Sequence, residues 1–147
     1  MDLHPTSVIP RTTAAGATVH EGITYALRRG HRPLLLDLHA PAAADGPVPV
    51  VVWMHGGAFW EGDRRHLPDT VAPGSVFDAL VAAGLAVATI DYRLSGEALF
   101  PAQLHDVAAA LAHLRRYADV LGLDADRTPA CGGVGRDHPG GTGGPHR

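Results

Sequence analysis

Hydrophobic residues along this chain change spacing in a way that marks out alternating strands and helices. Gly22–Leu27 and Pro33–His39 are short strand-like runs, and Arg28–Arg32 lies between them with Gly30 at its centre. That arrangement reads as a β-hairpin. An Ala/Asp/Gly/Pro loop follows over Pro41–Pro47. Val48–Met54 is a nearly unbroken apolar run rich in Val, as expected of a strand buried on both faces of a parallel sheet. His55–His66 is a loop holding Gly56, Gly57 and Gly62. Val76–Ala83 carries a helical pattern ended by Gly84, a natural C-cap. Leu85–Ile90 is a second apolar strand, and Asp91–Phe100 is an irregular polar loop.

Pro101 opens a long helix, where its missing N–H does no harm. Leu104, Val107, Ala108, Leu111, Leu114, Ala118 and Leu121 fall at three- and four-residue steps and predict one apolar stripe facing the sheet. Gly122 ends the helix. The order strand, helix, strand, helix argues for an α/β sheet. Residues 1–18 are rich in Pro, Thr and Ala and are expected to be loose, so the folded unit is read as 19–131. Over 132–147 the pattern stops: seven of sixteen residues are Gly, and Leu, Ile and Phe are absent. Such a segment buries too little surface to offset its ordering entropy and is expected to be a disordered tail.

The 147 residues are enough for one domain with a sizeable core. A 46% hydrophobic and 18% charged composition is that of an ordinary globular protein. With a net charge of −3 and no Lys/Arg-rich run, nucleic acid is not an expected partner. The first twenty residues lack the basic start and apolar run of a secretory signal, and no apolar stretch reaches the roughly 18 residues of a membrane span. Cys131 is the sole cysteine, which leaves no disulfide framework or Cys-based metal cluster. A cytoplasmic setting is the default expectation. The 10 histidines do not fall at metal-ligand spacings; His105 and His113 can share a helix face, but solvated helix histidines are the simpler reading. Neither metal nor organic cofactor is expected, and composition says nothing of oligomeric state.

The stretch that carries chemistry is Val50-Val51-Val52-Trp53-Met54-His55-Gly56-Gly57-Ala58-Phe59-Trp60, a buried strand running directly into a His-Gly-Gly turn. Two glycines admit backbone conformations closed to other residues and can aim successive N–H groups at one point. Two such donors converging on a developing oxyanion form the largest single term in acyl-transfer catalysis. Two glycines alone would also suit a plain turn; the strand, the histidine and the aromatics around them favour the catalytic reading.

At this stretch the sequence resembles the bacterial esterase/lipase group of α/β hydrolases, its hormone-sensitive-lipase-like and carboxylesterase-like members. That group's oxyanion motif is of the His-Gly-Gly-Gly type, with Ala58 here at the last position. The resemblance continues through Gly62-Asp63, Ile90-Asp91-Tyr92-Arg93-Leu94-Ser95, Phe100-Pro101-Ala102-Gln103 and Asp106 to Gly122-Leu123-Asp124-Ala125-Asp126-Arg127. It covers roughly Ile23 to Cys131. It implies an α/β fold: a truncated α/β-hydrolase sheet with an N-terminal hairpin, then parallel strands with crossover helices. It implies that Gly57 and Ala58 supply oxyanion N–H groups, that Gly56 shapes the turn and that His55 holds the loop without acting as the base. Asp91, Tyr92 and Arg93 take structural places, Asp91 and Arg93 as a loop-fixing ion pair or a solvated charge pair. Asp106 lies near the start of the long helix, where a carboxylate suits the dipole. Phe59 and Trp60 line the substrate pocket or simply pack.

The implied activity is serine carboxylester hydrolysis of small-molecule esters, without a cofactor. An amidase, formamidase or peptidase on the same fold is the alternative chemistry, and a non-catalytic binding remnant the alternative class. The group's Ser nucleophile sits in Gly-x-Ser-x-Gly at a strand-to-helix turn. Here the corresponding stretch reads Thr128-Pro129-Ala130-Cys131-Gly132-Gly133-Val134-Gly135-Arg136, with no Ser. Read from the second base of each codon, Gly132–Arg136 can encode Gly-Glu-Ser-Ala-Gly, so a one-base frameshift near Gly132 accounts for the change of character. The chain is accordingly expected to lack its nucleophile, acid and base, to be inactive, and to expose the edge of its Val-rich strand.

Overall fold

A computed structural model describes residues 10–14, 16–42, 44–55, 62–65, 75–128 and 130–132, the last three by backbone alone. Among them the strands are β1 (Arg11–Thr12), β2 (Ala17–Ala26), β3 (Leu34–Pro41), β4 (Val50–Met54), β5 (Ala86–Ile90) and β6 (Ala130–Gly132). The helices are α1 (Ser75–Ala82), α2 (Ala102–Arg116) and α3 (Ala118–Leu121). The strands form one sheet in the order β1-β2-β3-β5-β4-β6. The β1, β2 and β3 pairings and the β3–β5 pairing are antiparallel, whereas β4 runs parallel to both β5 and β6. This is the mixed sheet expected of an α/β hydrolase: a hairpin leading into parallel strands joined by crossover helices.

The predicted hairpin is present, with Gly30 at a positive φ of 73° between β2 and β3. It is longer than its apolar residues suggested. Ala17 pairs with Pro41, and β1 adds a further strand beside Val19 and Thr18. The expectation that all of 1–18 is loose is therefore corrected over Arg11–Thr12 and Ala17–Thr18. Backbone pairing needs no hydrophobic side chain at an edge, so the strand escaped a reading based on hydrophobicity.

One core lies between the sheet and α2. Leu34, Leu36 and Leu38 of β3, Val50 and Val52 of β4, and Ala86, Ala88 and Ile90 of β5 pack against Val107, Ala110 and Leu114. On the other face α1 places Phe77 on Trp53 and His39, with ring centroids 5.8 and 5.0 Å apart. β5 is buried along its whole length, as predicted. β4 is not: Val50 and Val52 are fully buried, while Val51 and Trp53 on the α1 side are half-buried.

The long helix departs from its predicted stripe. It breaks at Tyr117 into α2 and α3, and Pro101 is its N-cap residue, not its first turn. Its buried side carries Gln103, Asp106, Val107, Ala110, His113 and Leu114, while Leu104 is exposed. Gln103 and Asp106 can occupy the inner face because they find hydrogen-bond partners there, which a count of apolar positions does not register. His113, expected in solvent, is buried and packs on Tyr117 at 4.7 Å. The predicted stop holds: Gly122 adopts a left-handed φ of 70°, open to glycine at little cost.

The expected bare edge of the Val-rich strand is occupied. β6 pairs Ala130, Cys131 and Gly132 with Val52, Trp53 and Met54. Upstream, Val50 N–H donates to Arg127 O (3.0 Å), Val48 N–H to Gly122 O (3.1 Å), and Asp124 N–H to Val48 O (2.8 Å). Only part of the predicted tail, residues 133–147, lies wholly outside the described residues.

Candidate active site

The C-terminal ends of β4 and β5 lie side by side, since Met54 pairs with Ile90. Each strand then releases its chain into a motif singled out above: His55 after β4, and Asp91-Tyr92-Arg93 after β5. His55 and Tyr92 are buried, at 4% and 1% exposure. Their rings stack with centroids 4.3 Å apart and planes 9° from parallel. The Tyr92 hydroxyl donates to the His55 carbonyl at 2.7 Å and lies 3.4 Å from its Nδ1. Burial pushes the Tyr92 phenol up to about 12, so it remains a neutral donor. Gly56, Gly57, Ala58, Phe59 and Trp60 lie outside the described residues.

The chain re-enters the fold at Gly62, whose φ of 98° is a conformation that L side chains rarely adopt. Two residues on, Arg64 meets β3 and the end of β5. Its Nε donates to Asp37 Oδ1 at 2.7 Å, its Nη1 to Asp91 Oδ2 at 3.0 Å, and its backbone N–H to Asp91 Oδ1 at 2.8 Å. Thr89 donates its hydroxyl to the Arg64 carbonyl. Asp37 and Thr89 are directly paired across β3 and β5, and Asp37 also accepts from Gly22 N–H of β2 at 2.9 Å. Burial alone would lower the Arg64 pKa, but the bonds and charges of Asp37 and Asp91 outweigh it and raise the value.

The expected Asp91–Arg93 pair is corrected by this geometry. Asp91 serves Arg64, and Arg93 turns to Asp106. Arg93 donates from Nη2 (2.8 Å) and Nε (2.9 Å) and from its backbone N–H (2.9 Å) to the Asp106 carboxylate. Asp106 is fully buried and also meets Arg28 Nε at 3.4 Å. It stands one turn into α2, not in the first turn, so its counter-charge is Arg93 and not the helix dipole. The hydrogen bonds to Asp106, against some burial, raise the Arg93 pKa. Gln103 ties the same loop, donating to the carbonyls of Arg93 (2.9 Å) and Ala98 (3.1 Å), and Tyr25 donates to the Asp91 carbonyl.

The structure thus gathers His55, Asp91, Tyr92 and Arg93 at one end of the sheet, and adds Asp37, Thr89 and Arg64, which the sequence reading passed over. Asp37 carried a signal: it is the one charged residue inside the apolar run Leu34–Leu38. A carboxylate in such a run is expensive unless paired. Among the described residues no three His, Cys, Asp or Glu side chains come together as a metal site, and no helix is long and apolar enough to cross a membrane.

A family model described as BD-FAE matches residues 36–138. The carboxylesterase NlhH of Mycobacterium tuberculosis is 32% identical over 129 residues, which cover 87% of this chain and 36% of that protein. The esterase LipI of the same organism is 35% identical over 95 residues, covering 65% of this chain and 27% of that protein. Among solved structures, a bacterial heroin esterase superposes with a TM-score of 0.63 at 29% identity, covering 80% of this chain and 35% of that one. The chain spans between a quarter and about a third of the length of these curated relatives.

Proposed function

Because this chain belongs to the α/β-hydrolase-like BD-FAE family, we propose that it carries the oxyanion-binding half of a serine carboxylester hydrolase. The observation that carries this reading is the placement of the His55 turn. It leaves the C-terminal end of a parallel strand, buried on Tyr92, beside the end of β6. Met54 pairs with Gly132, so the segments leaving β4 and β6 start next to one another. An oxyanion loop and a nucleophile turn need that proximity, because both must reach one tetrahedral carbon.

In this reading the backbone N–H groups of Gly57 and Ala58 receive the oxyanion of a small-molecule ester, and Gly56 gives the turn its shape. His55 positions the loop and takes no proton from a nucleophile; its stacked, buried ring supports that role. Phe59 and Trp60 line the acyl or alcohol pocket. The base and acid belong to the triad logic of a Ser-His-Asp/Glu hydrolase. The segment that follows β6, Gly133-Val134-Gly135, offers no serine. The 147 residues by themselves therefore do not turn over esters.

The test is p-nitrophenyl acetate hydrolysis by the 147-residue chain, and by the product of the same gene with one base removed near the Gly132 codon. The chain is expected to match its heat-denatured control. The restored frame is expected to encode Gly-Glu-Ser-Ala-Gly and to hydrolyse the ester until a serine-directed phosphonate stops it. Phosphonate-sensitive turnover by the 147-residue chain would overturn the inactive reading. An inert restored product would remove the hydrolase one.

A further inference from the structure

One histidine ties the turn between β2 and β3 to the loop that follows β5. His31 Nε2 lies 2.7 Å from Glu97 Oε2, and its Nδ1 lies 2.7 Å from the Arg32 carbonyl oxygen. Neither partner has a proton to give. A carbonyl only accepts, and the Glu97 carboxylate already accepts from Arg32 Nη2 (3.1 Å) and Leu94 N–H (2.9 Å). Burial raises the Glu97 pKa, but the Leu94 and His31 bonds outweigh it and lower the value, so Glu97 stays an acceptor. Both ring nitrogens therefore donate, and only the imidazolium carries two N–H groups. At 12% exposure the His31 side chain leaves little room for water to take a partner's place. Among the described residues the charged groups facing this ring are Glu97 from the loop and Arg32 from its own turn. Arg28, whose carbonyl accepts the His31 backbone N–H at 3.1 Å, sends its guanidinium to Asp106 instead.

We propose that His31 and Glu97 form a pH-gated latch: the doubly protonated ring closes the β2–β3 turn onto the loop Leu94–Ala98, and the neutral ring, left with one N–H, gives up one of its two contacts. Histidine is the side chain that ordinarily changes charge between pH 5 and 8. The inner ties of the same loop use no histidine, since Gln103 binds the Arg93 and Ala98 carbonyls and Arg93 binds Asp106. Rising pH thus loosens the outer part of the loop and leaves the footing of Asp91 and Tyr92 in place. Arg32 holds Glu97 at either pH, so the change is graded. The N–H groups of Glu97 and Ala98 both donate to the Leu94 carbonyl, at 2.8 and 2.9 Å, and report on whether the loop is held. The latch is independent of the ester-hydrolase reading.

The test is solution NMR on the full 147-residue chain at pH 5.5 and pH 8, reading the His31 ring nitrogens and the exchange of the Glu97 and Ala98 amides. At pH 5.5 both ring nitrogens are expected to carry protons. After correction for the intrinsic pH dependence of exchange, the two amides should exchange about threefold faster at pH 8, the scale of an exposed ion pair. His31→Gln should abolish that difference and leave the amides of α2 unchanged. Glu97→Gln should remove the second ring proton at the lower pH. A His31 ring with a single proton at pH 5.5, or the same corrected pH difference in His31→Gln as in the parent, would overturn the proposal. The ring signals of the unaltered chain decide the matter even if a variant does not fold.

Discussion

Tyr92 lies flat on His55, with ring centroids 4.3 Å apart, and its hydroxyl donates 2.7 Å to the carbonyl of that histidine. One side chain thus fixes both the ring and the main chain of the residue that precedes Gly56. The next residue back, Asp91, fixes Arg64 where the segment returns. The strand end of β5 is the footing for both.

Tyr92→Phe keeps the stack and removes the donor. A loss of about 1 kcal/mol is expected in urea denaturation, the size of a typical net hydrogen bond. Tyr92→Ala also removes the ring from the core and should cost about 4 kcal/mol. If Tyr92→Phe is as stable as the parent, the hydroxyl bond contributes nothing.

Asp106→Ala leaves the Arg93 guanidinium, 18% exposed, without its carboxylate. Breaking a buried pair in this way should cost about 3 kcal/mol. Arg93→Lys should recover only part of the pair, because Nε and Nη2 both bind Asp106. A loss under about 0.5 kcal/mol on Asp106→Ala, the scale of an ordinary surface change, would show that the pair is dispensable.

Burial lowers the pKa of His20, His39 and His113 from the ordinary 6.5. Between each folded value and 6.5 the unfolded chain binds more protons, so stability is full above 6.5 and falls as pH drops below it. Glu97 adds a second decline further down. Desolvation pushes its pKa up, but the Leu94 N–H and His31 bonds outweigh this and hold it below 4.5. The urea midpoint should therefore drop steadily from pH 7 to pH 5. Replacing His113 with Gln should flatten that slope; an identical slope in both proteins would dissociate the effect from this histidine.

β6 covers the β4 edge over Val52–Met54. A chain ended at Thr128 loses that cover and presents unpaired N–H and C=O groups, a template for association. Light scattering is expected to show this shorter chain aggregating at concentrations where one ended at Gly132 does not. Equal behaviour would mean that the three paired residues do not protect the edge.

The strands β4 and β5 were legible because a run of Val, Ala and Ile between glycine-marked breaks has few other places to go. Gly84 and Gly122 marked helix ends for a similar local reason, since both adopt positive φ. β1 was not legible, because an edge strand holds by backbone pairing. The inner face of α2 was misjudged by the same logic: Gln103 and Asp106 look like solvent-facing residues until Arg93, Arg28 and two carbonyls are placed beside them. The candidate loop itself, Gly56 to Trp60, was read from sequence alone and lies outside the described residues.

By itself the sequence determined the hairpin, the order from β4 through α1 and β5 to the long helix, the helix stops and the family motifs, because these depend on neighbours a few residues apart. Tertiary structure alone decided which charges meet. Arg64 reaches Asp37 and Asp91 across 27 residues, and Arg28 reaches Asp106 across 78. The local choice of Arg93 for Asp91, two residues away, gave way because both lie past the end of β5 at Ile90, where each is claimed by a partner distant in the chain, Asp91 by Arg64 and Arg93 by Asp106. Asp91 faces the loop's return, while Arg93 lies beyond the strand, against α2.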